Sequence, residues 1–190
     1  MINRRHVLAS AALWPAWQAW AATADAQAAL RAGGVVAAFR HALAPGTFDP
    51  PEFKLGQCST QRNLSDEGRA QARQIGAWFT ANALKPAQVR ASPWCRCMDT
   101  ATLAFGRAEA WAALGSPRGS PERTNADHLG QLRAGLVAAG RRKGSFEVWV
   151  THMFVLADLV ATNTASGEGL ILQADSAGQP RVLARLPPPG

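Results

Sequence analysis

One short apolar run, Val35-Val36-Ala37-Ala38-Phe39, ends on a cation and an imidazole, Arg40-His41. Gly33-Gly34 precede it and Ala44-Pro45-Gly46 follow, so turn-forming residues bound it on both sides. A run of this length is too short for an ordinary helix and reads as a strand buried on both faces. Such strands belong to parallel sheets covered by helices. Ligands of open α/β sheets bind at the carboxyl ends of the strands, where the loops gather, and Arg40 and His41 fall at that end. In isolation the pair reads more simply as a surface charge beside a satisfied loop histidine, so a functional reading needs partners elsewhere in the chain.

A chain of 190 residues, 47% hydrophobic and 17% charged, has room for one globular domain with a sizeable core. Its formal net charge of +7 favours anionic partners, whether nucleic acid, membrane surface or small molecule. No Lys/Arg-rich cluster is interleaved with aromatics, and Arg141-Arg142-Lys143 reads as the solvated end of a helix. Nucleic acid is therefore not the expected partner.

Residues 1–24 read as an export signal: Arg4 and Arg5 form the charged region, Val7 to Ala22 the apolar one, and Ala22-Thr23-Ala24 the cleavage site. Processing follows Ala24 or, through Ala24-Asp25-Ala26, comes two residues later, which leaves a domain of residues 27–190. Pro15 and Gln18 interrupt the apolar stretch, so no stable membrane span is expected. Arg4-Arg5 fits either a twin-arginine signal or an ordinary leader. The expected location is outside the cytoplasm, in the periplasm. In an oxidising compartment Cys58 and Cys95 are the pair suited to a disulfide, because a bridge between Cys95 and Cys97 is strained; three free buried thiols are the alternative.

Further strands are expected at Gln88 to Ala91 and Phe146 to Thr151, and a hairpin at about Gly169 to Gln173 and Arg181 to Leu186. Helices are expected from Ser65, a capping residue followed by Asp66 and Glu67, to about Ala83, from about Met98 to Phe105, and from Asn125 to Ala139. Two stretches read as irregular, the Pro/Gly-dense loop Ala42 to Gln61 and the segment Gly106 to Arg123. The fold expected is α/β, a mostly parallel sheet with an antiparallel edge layered between helices.

Three strands thus deliver Arg40 and His41, then Arg96, then His152 to carboxyl ends. Guanidinium forks suit phosphate oxygens and neutralise charge as a phosphoryl group transfers. A neutral imidazole attacks phosphorus and holds the phosphoryl group until water takes it, and a second imidazole, if protonated, adds a donor. No metal or other cofactor is required.

Phe39-Arg40-His41, the element Ser92-x-x-x-Arg96-x-x-x-Thr100-Ala101 and Val150-Thr151-His152 resemble the histidine phosphatase superfamily, which has the phosphoglycerate mutase-like fold, a three-layer α/β/α sandwich. Thr60-Gln61-Arg62-Asn63-Leu64-Ser65 and Ser166-Gly167-Glu168 resemble a bacterial exported branch of it. The resemblance implies a metal-independent phosphomonoester hydrolase acting on a small phosphorylated substrate, with an envelope sugar phosphate as one candidate. It makes His41 the phosphorylated nucleophile, Arg40 and Arg96 the phosphoryl ligands and His152 the completion of the pocket. Arg62 is then a further phosphate contact or a surface salt-bridging residue. Two departures stand out: Ala42 occupies the place of a glycine, and no motif selects a general acid among Asp49, Glu52, Glu109, Glu122 and Asp127. The His-Asp arrangement of the acid phosphatase branch is absent, because Met153-Phe154 follow His152. The alternative is a non-catalytic phosphate or anionic-glycan binder with a degenerate pocket.

Overall fold

The computed structural model describes residues 16–117 and 122–189. Eleven elements follow in chain order: α1 (Ala16–Ala32), β1 (Val35–Arg40), α2 (Asp66–Ala81), β2 (Gln88–Ala91), α3 (Cys95–Phe105), β3 (Glu109–Ala110), α4 (Glu122–Gly140), β4 (Phe146–Thr151), α5 (Met153–Val160), β5 (Gly169–Ala174) and β6 (Pro180–Leu186). The strands form one sheet in the order β3-β2-β4-β1-β5-β6. β1, β2, β3 and β4 run parallel, while β5 is antiparallel to both β1 and β6.

Alternation along β1 builds both halves of the core, since successive side chains of a strand point to opposite faces. Val35, Ala37 and Phe39 pack with Ala26 and Leu30 of α1, Ile75 and Phe79 of α2, and Cys97 and Ala101 of α3. Val36 and Ala38 pack on the other face with Leu132 and Leu136 of α4, Val155 and Leu156 of α5, and Trp149 of β4. The expected α/β/α sandwich with a mixed sheet is therefore the observed fold. A close backbone approach explains the entrance to β1. Gly33 has φ +72°, and a Cβ there would lie 2.2 Å from the Ser145 backbone nitrogen.

Residues 16–24, within the stretch read as a leader, form the first turns of α1, and residues 1–15 lie outside the described residues. Sequence and structure differ at three places. α3 begins at Cys95 rather than near Met98, because the Trp94 carbonyl accepts the first helical hydrogen bonds, from the Cys97 and Met98 nitrogens. Trp94 caps without a side-chain hydrogen bond, so no capping residue marks that start. The segment 106–123, read as irregular, holds β3, a 3-10 turn at Ala112–Leu114 and the start of α4, with Gly119 and Pro121 outside the described residues. α5 was not anticipated. No described helix is long and apolar enough to cross a membrane.

Candidate active site

Strand register brings the candidate residues together. Arg40 pairs with Thr151 across β1 and β4, and Ala91 with Val150 across β2 and β4, so three parallel strands end at one level. The next residue of each chain segment is His41, Ser92 or His152. The His41 nitrogen bonds the Thr151 carbonyl at 2.9 Å, and the Ser92 nitrogen bonds the Val150 carbonyl at 2.9 Å. α3 then carries Arg96 into the same space from its first turn. Arg40, His41, Arg62, Arg96 and His152 line one cleft of about 420 Å³, with the two imidazole rings 5.6 Å apart. A second hollow of about 380 Å³, beneath the carboxyl-terminal prolines, has no ionisable side chain among the described residues that line it.

Hydrogen bonds assign the tautomers. His41 Nδ1 lies 2.7 Å from the Ala42 carbonyl, which only accepts, so Nδ1 holds the proton and Nε2 keeps its lone pair. Ala42 is fully buried, its nitrogen bonds Thr100 Oγ1 at 3.0 Å, and it is not among the described residues with positive φ. Alanine therefore fits the place of the expected glycine. His152 is oriented from the opposite side: Arg96 Nη2 donates to its Nδ1 at 3.3 Å, which leaves the proton on Nε2, facing Ser92 Oγ at 2.8 Å. As it stands His152 braces Arg96 rather than serving as a protonated donor.

Burial is the main cause that pushes His41 down to about 3, against the pull of the Ala42 hydrogen bond and with repulsion from Arg96, Arg62 and Arg40 added. The same burial, with Arg96 next, holds His152 well below the usual imidazole range. Both rings are neutral at physiological pH, whereas in the unfolded chain each titrates near 6.5. As pH falls the unfolded chain binds protons first. Stability is thus complete above about pH 6.5 and is lost progressively as pH drops from there towards 3. Urea midpoints between pH 7.5 and 4.5 should fall steeply for the wild type and more gently for His41→Gln; equal slopes would place the acid lability elsewhere.

The cationic side is undercompensated. Arg40 donates Nη1 to the Thr164 carbonyl at 2.8 Å, and Arg62 donates Nη1 to the Ala44 carbonyl at 2.5 Å. Burial, with Arg96 next, lowers Arg62 to about 10, still charged at neutral pH. Arg40, Arg62 and Arg96 each leave Nε buried without a hydrogen-bond partner. A buried donor left unpaired costs roughly 1–3 kcal/mol. Among the described residues Asp49 is the one carboxylate in the cleft lining. Its Oδ1 takes hydrogen bonds from Arg96 Nη1 at 2.7 Å and the Arg62 nitrogen at 3.0 Å, and its Oδ2 from Trp94 Nε1 at 3.3 Å. Burial works against ionisation of Asp49, but the Arg96 and Arg62 hydrogen bonds outweigh it and hold the carboxyl below its usual range.

Of the five candidate acids only Asp49 reaches the site. Glu52 is exposed on the loop, Glu109 bonds Gln88 at the sheet edge, and Glu122 and Asp127 face outward on α4. Arg62 belongs to the cleft rather than to a surface ion pair, because the turn at Cys58–Thr60 is tied to α3 by the Cys58–Cys95 disulfide. Residues that the sequence reading did not single out complete the wall: Phe53 stacks on Trp94 at 5.5 Å, and Trp94 meets His152 edge-on at 5.3 Å. Among the described residues no three His, Cys, Asp or Glu side chains converge as a metal-ligating group.

The fold is that of histidine phosphatase structures. The chain superposes on the protein histidine phosphatase SixA complexed with tungstate, with 17% identity and a TM-score of 0.56 over 81% of this chain and 97% of that one. It also superposes on a mycobacterial glucosyl-3-phosphoglycerate phosphatase with inorganic phosphate, with 16% identity and a TM-score of 0.53 over 78% and 94%. A phosphoserine phosphatase mutant from Entamoeba histolytica in complex with phosphoserine gives 12% identity and a TM-score of 0.53 over 80% and 95%. No protein-family model and no curated protein matches the chain.

Proposed function

We propose that this protein is a phosphomonoester hydrolase that works through a phosphohistidine at His41. The observation that carries the reading is a neutral imidazole, its Nδ1 proton fixed on the Ala42 carbonyl, standing among three guanidiniums with one carboxylate between them. Arg40, Arg62 and Arg96 would hold the phosphoryl oxygens and offset charge as the bond to the leaving oxygen breaks. Nε2 of His41 would take the phosphoryl group and water would release it. The tungstate and phosphate of the structural neighbours support an oxyanion as the ligand of such a cleft.

The location we propose is the periplasm, on the pattern of residues 1–24 and on the Cys58–Cys95 bond, which suits an oxidising compartment. Cleavage after Ala24 keeps both Ala26 and Leu30 in the core, whereas cleavage after Ala26 removes one of them, so the first fits better. A phosphorylated envelope sugar is the substrate class we favour there.

One experiment tests these points together. The full chain is expressed in a bacterium and recovered from the periplasm, its amino terminus is read, and it is mixed with p-nitrophenyl phosphate in EDTA and quenched. The expected result is a chain beginning at Asp25, release of nitrophenol, and an enzyme-bound phosphate stable in alkali and lost in acid. Phosphate binding without turnover would favour the binding-protein alternative. An acid-stable phosphoenzyme would move the nucleophile away from His41.

A further inference from the structure

We propose that Asp49 is a dual-purpose carboxylate: it occupies Arg96 until a phosphoryl group displaces it, and then serves as the proton donor to the leaving oxygen. The proposal rests on the phosphatase reading and supplies the acid that this reading lacks. Its basis is geometric. Arg96 is the residue through which the site is wired, since its guanidinium touches Asp49, the Arg62 carbonyl and His152 Nδ1. Asp49 contacts it as an oxyanion would, with one oxygen shared between a guanidinium and a backbone N–H and the other on the Trp94 indole.

The carboxylate is also placed to move. It lies on the loop between Gly46, where φ is +82°, and Pro50, and its side chain is 17% exposed against 4% for Arg96. Arg62 braces the start of that loop through the Ala44 and Gly46 carbonyls, so the tip is anchored next to the cleft rather than free of it.

Proton accounting closes around the exchange. A phosphomonoester brings one acidic proton, because its second ionisation lies near pH 6. When phosphoryl oxygens take the Arg96 donors, Asp49 loses its counter-charge beside an anion and accepts that proton. His41 Nε2 then forms the P–N bond, the P–O ester bond breaks, and the leaving oxygen takes the proton from Asp49. Water next attacks phosphorus and passes a proton to the Asp49 carboxylate. The P–N bond breaks to restore the His41 lone pair, and the proton leaves with phosphate. A monoester monoanion and water become alcohol and dihydrogen phosphate.

Leaving-group dependence separates this role from a structural one. General acids contribute about 10²–10⁴-fold where the leaving oxygen needs a proton. In Asp49→Asn, kcat for an alkyl phosphate should therefore fall about 10³-fold, whereas for p-nitrophenyl phosphate, whose phenolate leaves unaided, it should fall no more than about 10-fold. Inorganic phosphate should bind the variant several-fold more tightly, because its internal competitor has lost its charge. Asn keeps acceptors for Arg96 and the Arg62 nitrogen, and Asp49→Glu, which keeps a carboxyl, should recover part of the alkyl-ester activity. Equal losses with both esters, or phosphate affinity that is unchanged or weaker, overturn the proposal. If the wild type turns over neither ester, the phosphatase reading and the proton-donor role fail together. The phosphate affinities of wild type and Asp49→Asn still decide whether Asp49 competes for Arg96.

Discussion

Replacing His41 with alanine should reduce phosphomonoester hydrolysis by at least about 10⁴-fold while leaving the binding of inorganic phosphate within a few-fold of the wild type. Loss of a nucleophile removes the covalent route and not just a favourable contact, and in enzymes with such residues a single removal costs that much or more. Binding should survive because the proposed oxyanion ligands, Arg40, Arg62 and Arg96, do not rely on His41: their donors rest on the Thr164, Ala44 and Arg62 carbonyls and on Asp49. His41 itself is buried, and alanine leaves a small hole at the end of β1. The folded state also sheds a histidine that it has to keep neutral, so the variant should resist acid better than the wild type. Phosphate release at saturating substrate and calorimetric titration with phosphate give the two numbers. A loss of binding parallel to the loss of turnover would mean that His41 orders the pocket, and the covalent route would lose its support.

Much of this cleft is legible in the sequence because strand ends carry it. β2 and β4 are short segments entered just after Lys85-Pro86 and Lys143-Gly144, and their observed limits are those read from the sequence. Once parallel pairing aligns β1, β2 and β4, the residues that follow them must meet, which is why His41 and His152 are recognisable without coordinates. Asp49 is of a different kind. It lies in a loop without periodicity, and only the fold brings it to Arg96, 47 positions later. Nothing local to Asp49 distinguishes it from Glu52, three residues on. α5 escaped notice for a related reason. Met153–Val160 is an eight-residue apolar helix, short enough to look like the continuation of a strand, and its first residue follows His152 directly. The start of α3 is hidden because Cys95-Arg96-Cys97 contains no capping residue. That hidden start matters for the chemistry, since it sets Arg96 inside the helix's first turn, where backbone N–H groups and the dipole add to its attraction for anions.

Removing the Cys58–Cys95 disulfide should destabilise the fold and spread the site at the same time. The bond spans 37 positions, with Cα atoms 5.6 Å apart, and the chain-entropy model assigns a closed loop of that size roughly 4 kcal/mol. For a domain of this length that corresponds to a Tm lower by about 8–15 °C. The effect on activity has a separate origin. The bond joins the turn that leads into Gln61 and Arg62 to the first residue of α3, beside Arg96, and the Gln61 side chain accepts the Cys95 N–H at 3.0 Å across the same junction. Without the covalent tie, Arg62 and Arg96 lose their fixed spacing, so KM for a phosphomonoester should rise more than kcat falls. Cys97 provides the control. It is fully buried, and burial pushes its thiol up to about 12, so it stays protonated and unreactive in the folded protein although its sulfur lies 3.6 Å from His152 Nε2. Accordingly Cys58→Ser with Cys95→Ser should show the Tm loss and the raised KM, whereas an alkylating reagent should reach the Cys97 thiol of the wild type only after unfolding. If the double serine variant melted at the wild-type temperature with an unchanged KM, the disulfide would carry neither the stability nor the spacing assigned to it.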